Sequence, residues 1–86
     1  MKLRRRSDGA IATGFMFQSM FRPLPDWLDR YVELGKLRKP TVEAPMMVRI
    51  ITGAWWPVHA NDWIVAHGDD LYLIEDPDLG NTHEEV

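Results

Sequence analysis

The sequence predicts an α+β fold: one helix over about residues 25–34, packed on a small, twisted antiparallel sheet of four to five short strands. Three observations predict it. Apolar side chains recur at helical spacing from Leu24 to Tyr31. Four short apolar runs between residues 47 and 74 are separated by turn-forming residues. A chain of 86 residues has room for one core, so residues 1–86 read as a single domain.

The first element read from residue pattern is a strand. From Ile11 the odd positions are Ile11, Thr13, Phe15 and Phe17, and the even ones are Ala12, Gly14, Met16 and Gln18. That period of two puts the aromatic rings on one face and smaller side chains on the other. Pro23 and Pro25 then break the pattern. Pro25 opens the helix, where its missing N–H is no loss, and Asp26 and Asp29 favour the positive end of the helix dipole. Leu24, Trp27, Leu28 and Tyr31 form one apolar stripe, Asp26 and Arg30 are spaced to pair, and Gly35 is the expected C-terminal stop.

Pro40 to Pro45 is a connector. The strand-like runs are Met47–Thr52, Trp55–Val58, Trp63–Ala66 and Leu71–Ile74, with turn signals at Gly53, Asn61-Asp62 and His67–Asp70. Connections this short make antiparallel hairpins. The expected core is Ile11–Phe17, Trp27, Leu28, Tyr31, Ile50, Ile64 and Leu73. Asp76-Pro77-Asp78 and Gly80-Asn81 end the regular structure, leaving residues 80–86 as a frayed tail.

Composition excludes several functions. Without cysteine there is no disulfide framework, thiolate metal site or cysteine nucleophile. A hydrophobic content of 45% is too high for a disordered chain. No apolar run approaches the roughly 18–20 residues of a membrane span. The stretch after the basic start is interrupted by Thr13, Gly14, Gln18 and Ser19 and lacks a small-x-small cleavage site, so it reads as part of a cytoplasmic protein. Ser7 and Ser19 have no nucleophile context, the glycines form no phosphate loop, and the carboxylates sit in turns. His59, Asp62, His67 and Asp69 match no metal-ligand spacing. The expectation is a protein with no catalytic residues, metal or cofactor.

Charge is segregated along the chain. Residues 1–49 carry ten basic and five acidic groups, a net of +5, and residues 50–86 carry eight acidic groups and no basic one. The overall −3 and the acidic half argue against direct nucleic-acid binding, although the ten cations could line one face. Trp55, Trp56 and Trp63 lie close together, and on a strand Trp55 and Trp56 point to opposite sides. Tryptophan is enriched at binding hot spots.

The order of motifs resembles a family of small, mostly uncharacterised bacteriophage and prophage proteins. The residues carrying the likeness are Lys2–Arg6, Pro25-Asp26-Trp27-Leu28, Gly35-Lys36-Leu37, Val48–Thr52, Asn61–Val65, Asp70-Leu71-Tyr72 and Pro77-Asp78-Leu79. Asn61 stands where that family has glycine, a change its tolerance of left-handed geometry allows. The resemblance implies a Lys/Arg-rich opening strand and a phage accessory protein acting in the host cytoplasm.

Composition and resemblance together suggest an inhibitor of a nucleic-acid-binding host defence complex, of anti-CRISPR type. Its partner would be a host protein or protein–nucleic acid complex with a basic groove. Asp62, Asp69, Asp70, Glu75, Asp76 and Asp78 would mimic phosphates along one sheet edge, with Trp55 or Trp56 as apolar anchor. The alternatives are a sponge for a nucleotide signal and a small structural or regulatory phage protein. In the sponge, Trp56 or Trp63 would stack on a base while Arg38, Lys39 and Arg49 hold phosphate, and a homodimer is compatible with it.

Overall fold

Alternating apolar residues, closely spaced turns and two proline-opened helices build eight strands and two short helices. The computed structural model describes residues 1–86. In chain order they are β1 (Lys2–Arg5), β2 (Ile11–Met16), a 3-10 turn (Asp26–Leu28) leading into α1 (Asp29–Glu33), β3 (Leu37–Arg38), β4 (Met47–Arg49), β5 (Trp55–Pro57), β6 (Asp62–His67), β7 (Asp70–Glu75), α2 (Asp76–Thr82) and β8 (His83–Glu85). Five strands form a sheet of order β7-β6-β2-β1-β8, and three form a second sheet of order β3-β4-β5. Every pairing is antiparallel, and the fold is α+β as expected. No helix is long and apolar enough to cross a membrane.

β6 is the centre of the molecule. It is paired on both sides, and Trp63, Ile64, Val65 and Ala66 are all buried. Ile64 and Ala66, with Leu71 and Phe17, meet Leu28 and Tyr31 of the helical segment and Leu37, Met46, Val48 and Val58 of the second layer. On the opposite face Trp63 and Val65 pack with Leu3 and Ala12, and Met16, Tyr72, Ile74 and Leu79 close around them.

This second core corrects the expected packing of β2. The alternation of large and small side chains is present, but both faces are covered. Ala12 is buried, while Ile11, expected in the core, is 49% exposed because the second layer reaches only the Phe15–Phe17 end. Gly14 is placed against Leu3 so closely that a Cβ there would lie 2.6 Å from Leu3 Cδ1.

The helix forms where expected, with a tighter first turn. Leu28 and Tyr31 are buried. The Gly35 N–H donates to Val32 O and the Lys36 N–H to Tyr31 O, while Gly35 takes φ +74°, a Schellman stop. Arg30 does not pair with Asp26; it reaches Asp69 on the β6–β7 turn instead. Asn61 adopts φ 74°, the left-handed geometry anticipated for it.

The C-terminal residues differ from expectation. Residues 80–86 do not fray: α2 continues to Thr82, and β8 pairs with β1 through Leu3–Glu85, Arg4–Glu84 and Arg5–His83. Pro77 and the acids beside it start a helix rather than end the structure, by the same rule that opens the first one. α2 carries the chain from the β7 edge to the opposite edge, and Leu79 packs on the Trp63 core.

Two substitutions test these cores separately. Leu28→Ala removes a side chain with 0% exposure and should cost about 2–5 kcal/mol in chemical denaturation. Gly14→Ala forces Leu3 from its place and should cost about 1–3 kcal/mol. Parent-like midpoints for either variant would contradict the corresponding packing.

Candidate functional site

The pairing of β4 with β5 sets the two tryptophans on opposite sides. Trp55 lies across from Arg49 and Trp56 across from buried Val48. Trp55 is half-buried, with the Arg38 guanidinium carbon 4.3 Å from its ring centre. Trp56 projects on the core-facing side, beyond the end of the packed core, and is 51% exposed. Trp63 belongs to the interior, where its Nε1–H donates to Asp76 Oδ1 at 2.8 Å.

Trp56 forms one wall of an open cleft of about 510 Å³ between the two sheets. Ile50 and Pro57 extend that wall, and His59 stands at the rim. Asp62, Leu73 and Glu75 come from the five-stranded sheet. Asp62 and Glu75 are direct cross-strand partners, so both side chains lie on the Ile64–Leu73 face. Asp62 Oδ2 accepts the His59 backbone N–H at 2.8 Å and lies 3.6 Å from His59 Nδ1. Glu75 has no ion-pair partner, and no Lys or Arg lines the cleft.

The other end of the β6–β7 hairpin is neutralised. Asp69 pairs with Arg30, Asp70 lies 3.5 Å from Lys36 Nζ, and the same ammonium donates to Asp69 O at 2.6 Å. The Tyr31 hydroxyl donates to Gly68 O. Five residue steps of strand separate the two ends, about 17 Å. Asp76 is engaged by Trp63, and Asp78 lies exposed on α2. The six carboxylates therefore do not form one continuous row: the structure brings together Trp56, Asp62 and Glu75 and sets the other four apart.

Part of the sequence's charge segregation is matched by contacts between the halves. Besides the pairs just described, Arg4 and Arg6 flank Glu84, each 3.6 Å away. Lys36 and Arg49 line a smaller cleft of about 210 Å³ that contains no aromatic residue. Stacking and cationic groups are thus in different clefts. Ser19 Oγ accepts only the Phe21 N–H. His59, Asp62, His67 and Asp69 do not converge, and no group of three or more His, Asp or Glu side chains is arranged to hold a metal. No family model, curated protein or solved structure matches the chain.

One polar cluster had no signal in the sequence. His67 Nε2 and His83 Nε2 lie 2.9 Å apart. Thr82 donates its hydroxyl to Leu79 O, so it accepts from His83 Nδ1–H, 2.9 Å away. His83 Nε2 is then the acceptor and His67 Nε2–H the donor, and the pair is satisfied when both rings are neutral. Burial pushes both histidines below their ordinary value of 6.5; in each case Arg5 adds to that shift and Asp8 opposes it. Asp8 itself is held well below the carboxylate range by Arg5.

The unfolded chain therefore binds more protons than the folded one as pH falls through about 6.5, and stability should decrease from pH 7 to pH 5. Asp8 contributes only at lower pH. Replacing His83 with Gln should flatten that slope in denaturant titrations. An unchanged slope would place the pH dependence elsewhere.

Proposed function

We propose that this protein acts by binding, without catalytic turnover, and that its partner is a nucleic-acid-binding complex whose Arg/Lys-lined groove it occupies. The specific reading is a phage-encoded inhibitor of a host defence complex, working in the host cytoplasm. One observation carries the proposal: a half-exposed tryptophan lines an apolar cleft that has two carboxylates and no lysine or arginine of its own chain. Buried aromatic anchors supply binding energy, and neighbouring charges supply steering and orientation. The cleft replaces the longer acidic edge as the contact surface, because Asp69 and Asp70 already have internal partners.

The nucleotide-sponge alternative has less support. The phosphate of a nucleotide whose base stacks on Trp56 would face Asp62 and Glu75, whereas Arg38 covers Trp55 and Lys39 pairs with Asp29.

The test is competition. The protein is titrated into purified RNA-guided nuclease complexes carrying labelled target nucleic acid, and displacement is followed by fluorescence anisotropy. Displacement by the parent is expected with at least one complex. Trp56→Ala should weaken it by about tenfold or more, and raised salt should slow association. Asp69→Asn with Asp70→Asn should change it little. Absence of displacement across the panel, or displacement indifferent to Trp56→Ala, would refute the reading.

A further inference from the structure

Asp62 and Glu75 present an electrostatic imbalance that the rest of the hairpin avoids. They face one another across β6 and β7, and like charges directly opposite on a sheet disfavour the folded state. At the far end of the same hairpin Asp69 and Asp70 receive Arg30 and Lys36. At this end no side chain of the protein supplies a positive charge to Glu75. Asp62 uses Oδ2 on the His59 N–H, leaving Oδ1 without a protein donor.

Beside the two acids stands the exposed indole of Trp56, with Ile50, Pro57 and Leu73 completing an apolar lining. We infer that this cleft is an arginine-binding site, which receives the guanidinium of one arginine side chain presented by a protein partner between Trp56 and the Asp62–Glu75 pair. The inference rests on the docking reading above and specifies what enters the cleft.

The chemistry selects guanidinium over other cations. Its planar face stacks on an indole, while its edge presents a fork of N–H donors to carboxylates. Its methylene stem suits the apolar wall. An ammonium offers neither the plane nor the fork. Asp62, Glu75 and His59 are not arranged to hold a metal ion. The protein already uses the same contact on the neighbouring ring, where Arg38 lies over Trp55. Trp56 is the ring on the other side of β5, with two acids and no lysine or arginine beside it.

The experiment uses the intact chain labelled with nitrogen-15. The Trp56 indole signal is assigned by its disappearance in Trp56→Phe. Blocked acetyl-Gly-Arg-Gly-amide is titrated against it, with the lysine and citrulline counterparts and free arginine as comparisons. The arginine peptide should shift the Trp56 indole and Glu75 amide signals saturably in the millimolar range, as expected for one stacked, charge-paired side chain.

The lysine peptide should bind at least threefold more weakly, and uncharged citrulline should not saturate. Free arginine should also bind more weakly, because its own carboxylate meets Asp62 and Glu75. Glu75→Gln, an exposed change, should weaken the arginine peptide about fivefold or more. Equal shifts from citrulline, tighter binding of free arginine, or no saturable shift would each overturn the inference.

The two readings fail separately. If the arginine peptide does not bind but Trp56→Ala still abolishes nucleic-acid displacement, the inference fails and the docking surface stands. If arginine binds while displacement ignores Trp56→Ala, the docking reading fails and the arginine site stands.

Discussion

The middle of β6, Trp63 to Ala66, has no solvent face, and the architecture follows from that constraint. A strand whose Trp63, Ile64, Val65 and Ala66 must all leave water requires cover on both sides. A chain of 86 residues has little material for two layers of cover. The helical segment and the three-stranded sheet serve one side. On the other side the sheet curls over itself, helped by Leu3, Ala12 and the crossing helix α2. The curl is measurable: β6 and β8 are three strand positions apart, about 14 Å in a flat sheet, yet His67 and His83 are in hydrogen-bond contact. The close approach of Leu3 to Gly14 is part of the same tightening.

Charge follows a related logic. A chain whose positive groups precede residue 50 and whose later half is acidic would suggest two patches of opposite sign. The fold instead threads one half against the other, so Arg30, Lys36, Arg4 and Arg6 meet Asp69, Asp70 and Glu84. Most of these pairs are exposed, and each contributes little to stability. Their larger effect is to decide which acids remain without a cation in the fold. Asp62 and Glu75, like Asp76, Asp78 and Glu85, are left without a lysine or arginine partner.

The fold class and most elements were legible in the sequence because they depend on local pattern. Gly35 and Asn61 marked real turns, and each apolar run from Met47 to Ile74 contains a strand. Three features were not legible. β3 contains only Leu37 and Arg38, too short for an alternation to register. β8 is polar and is a strand only because β1 lies beside it, a pairing between opposite ends of the chain. The burial of Ala12 and Gly14 depends on which face finds cover, which a period of two leaves undecided. Of the site, the opposition of Trp55 and Trp56 could be read directly. The separation of Asp62 and Glu75 from Asp69 and Asp70 required the positions of Arg30 and Lys36, set by contacts more than thirty residues distant in sequence.

The pairing of β1 with β8 also bears on how the chain is made. β1 emerges during synthesis well before β8, and the two make the most sequence-distant pairing in the five-stranded sheet. Until residues 83–85 arrive, one side of β1 presents unbonded amides and carbonyls, a template for pairing with another nascent chain. Lys2, Arg4 and Arg5 occupy this strand, and Arg6 follows it. Positive charge on an open edge repels a second copy of the same strand. Such a run disfavours strand pairing between two copies until Arg4 and Arg6 settle beside Glu84 in the finished sheet.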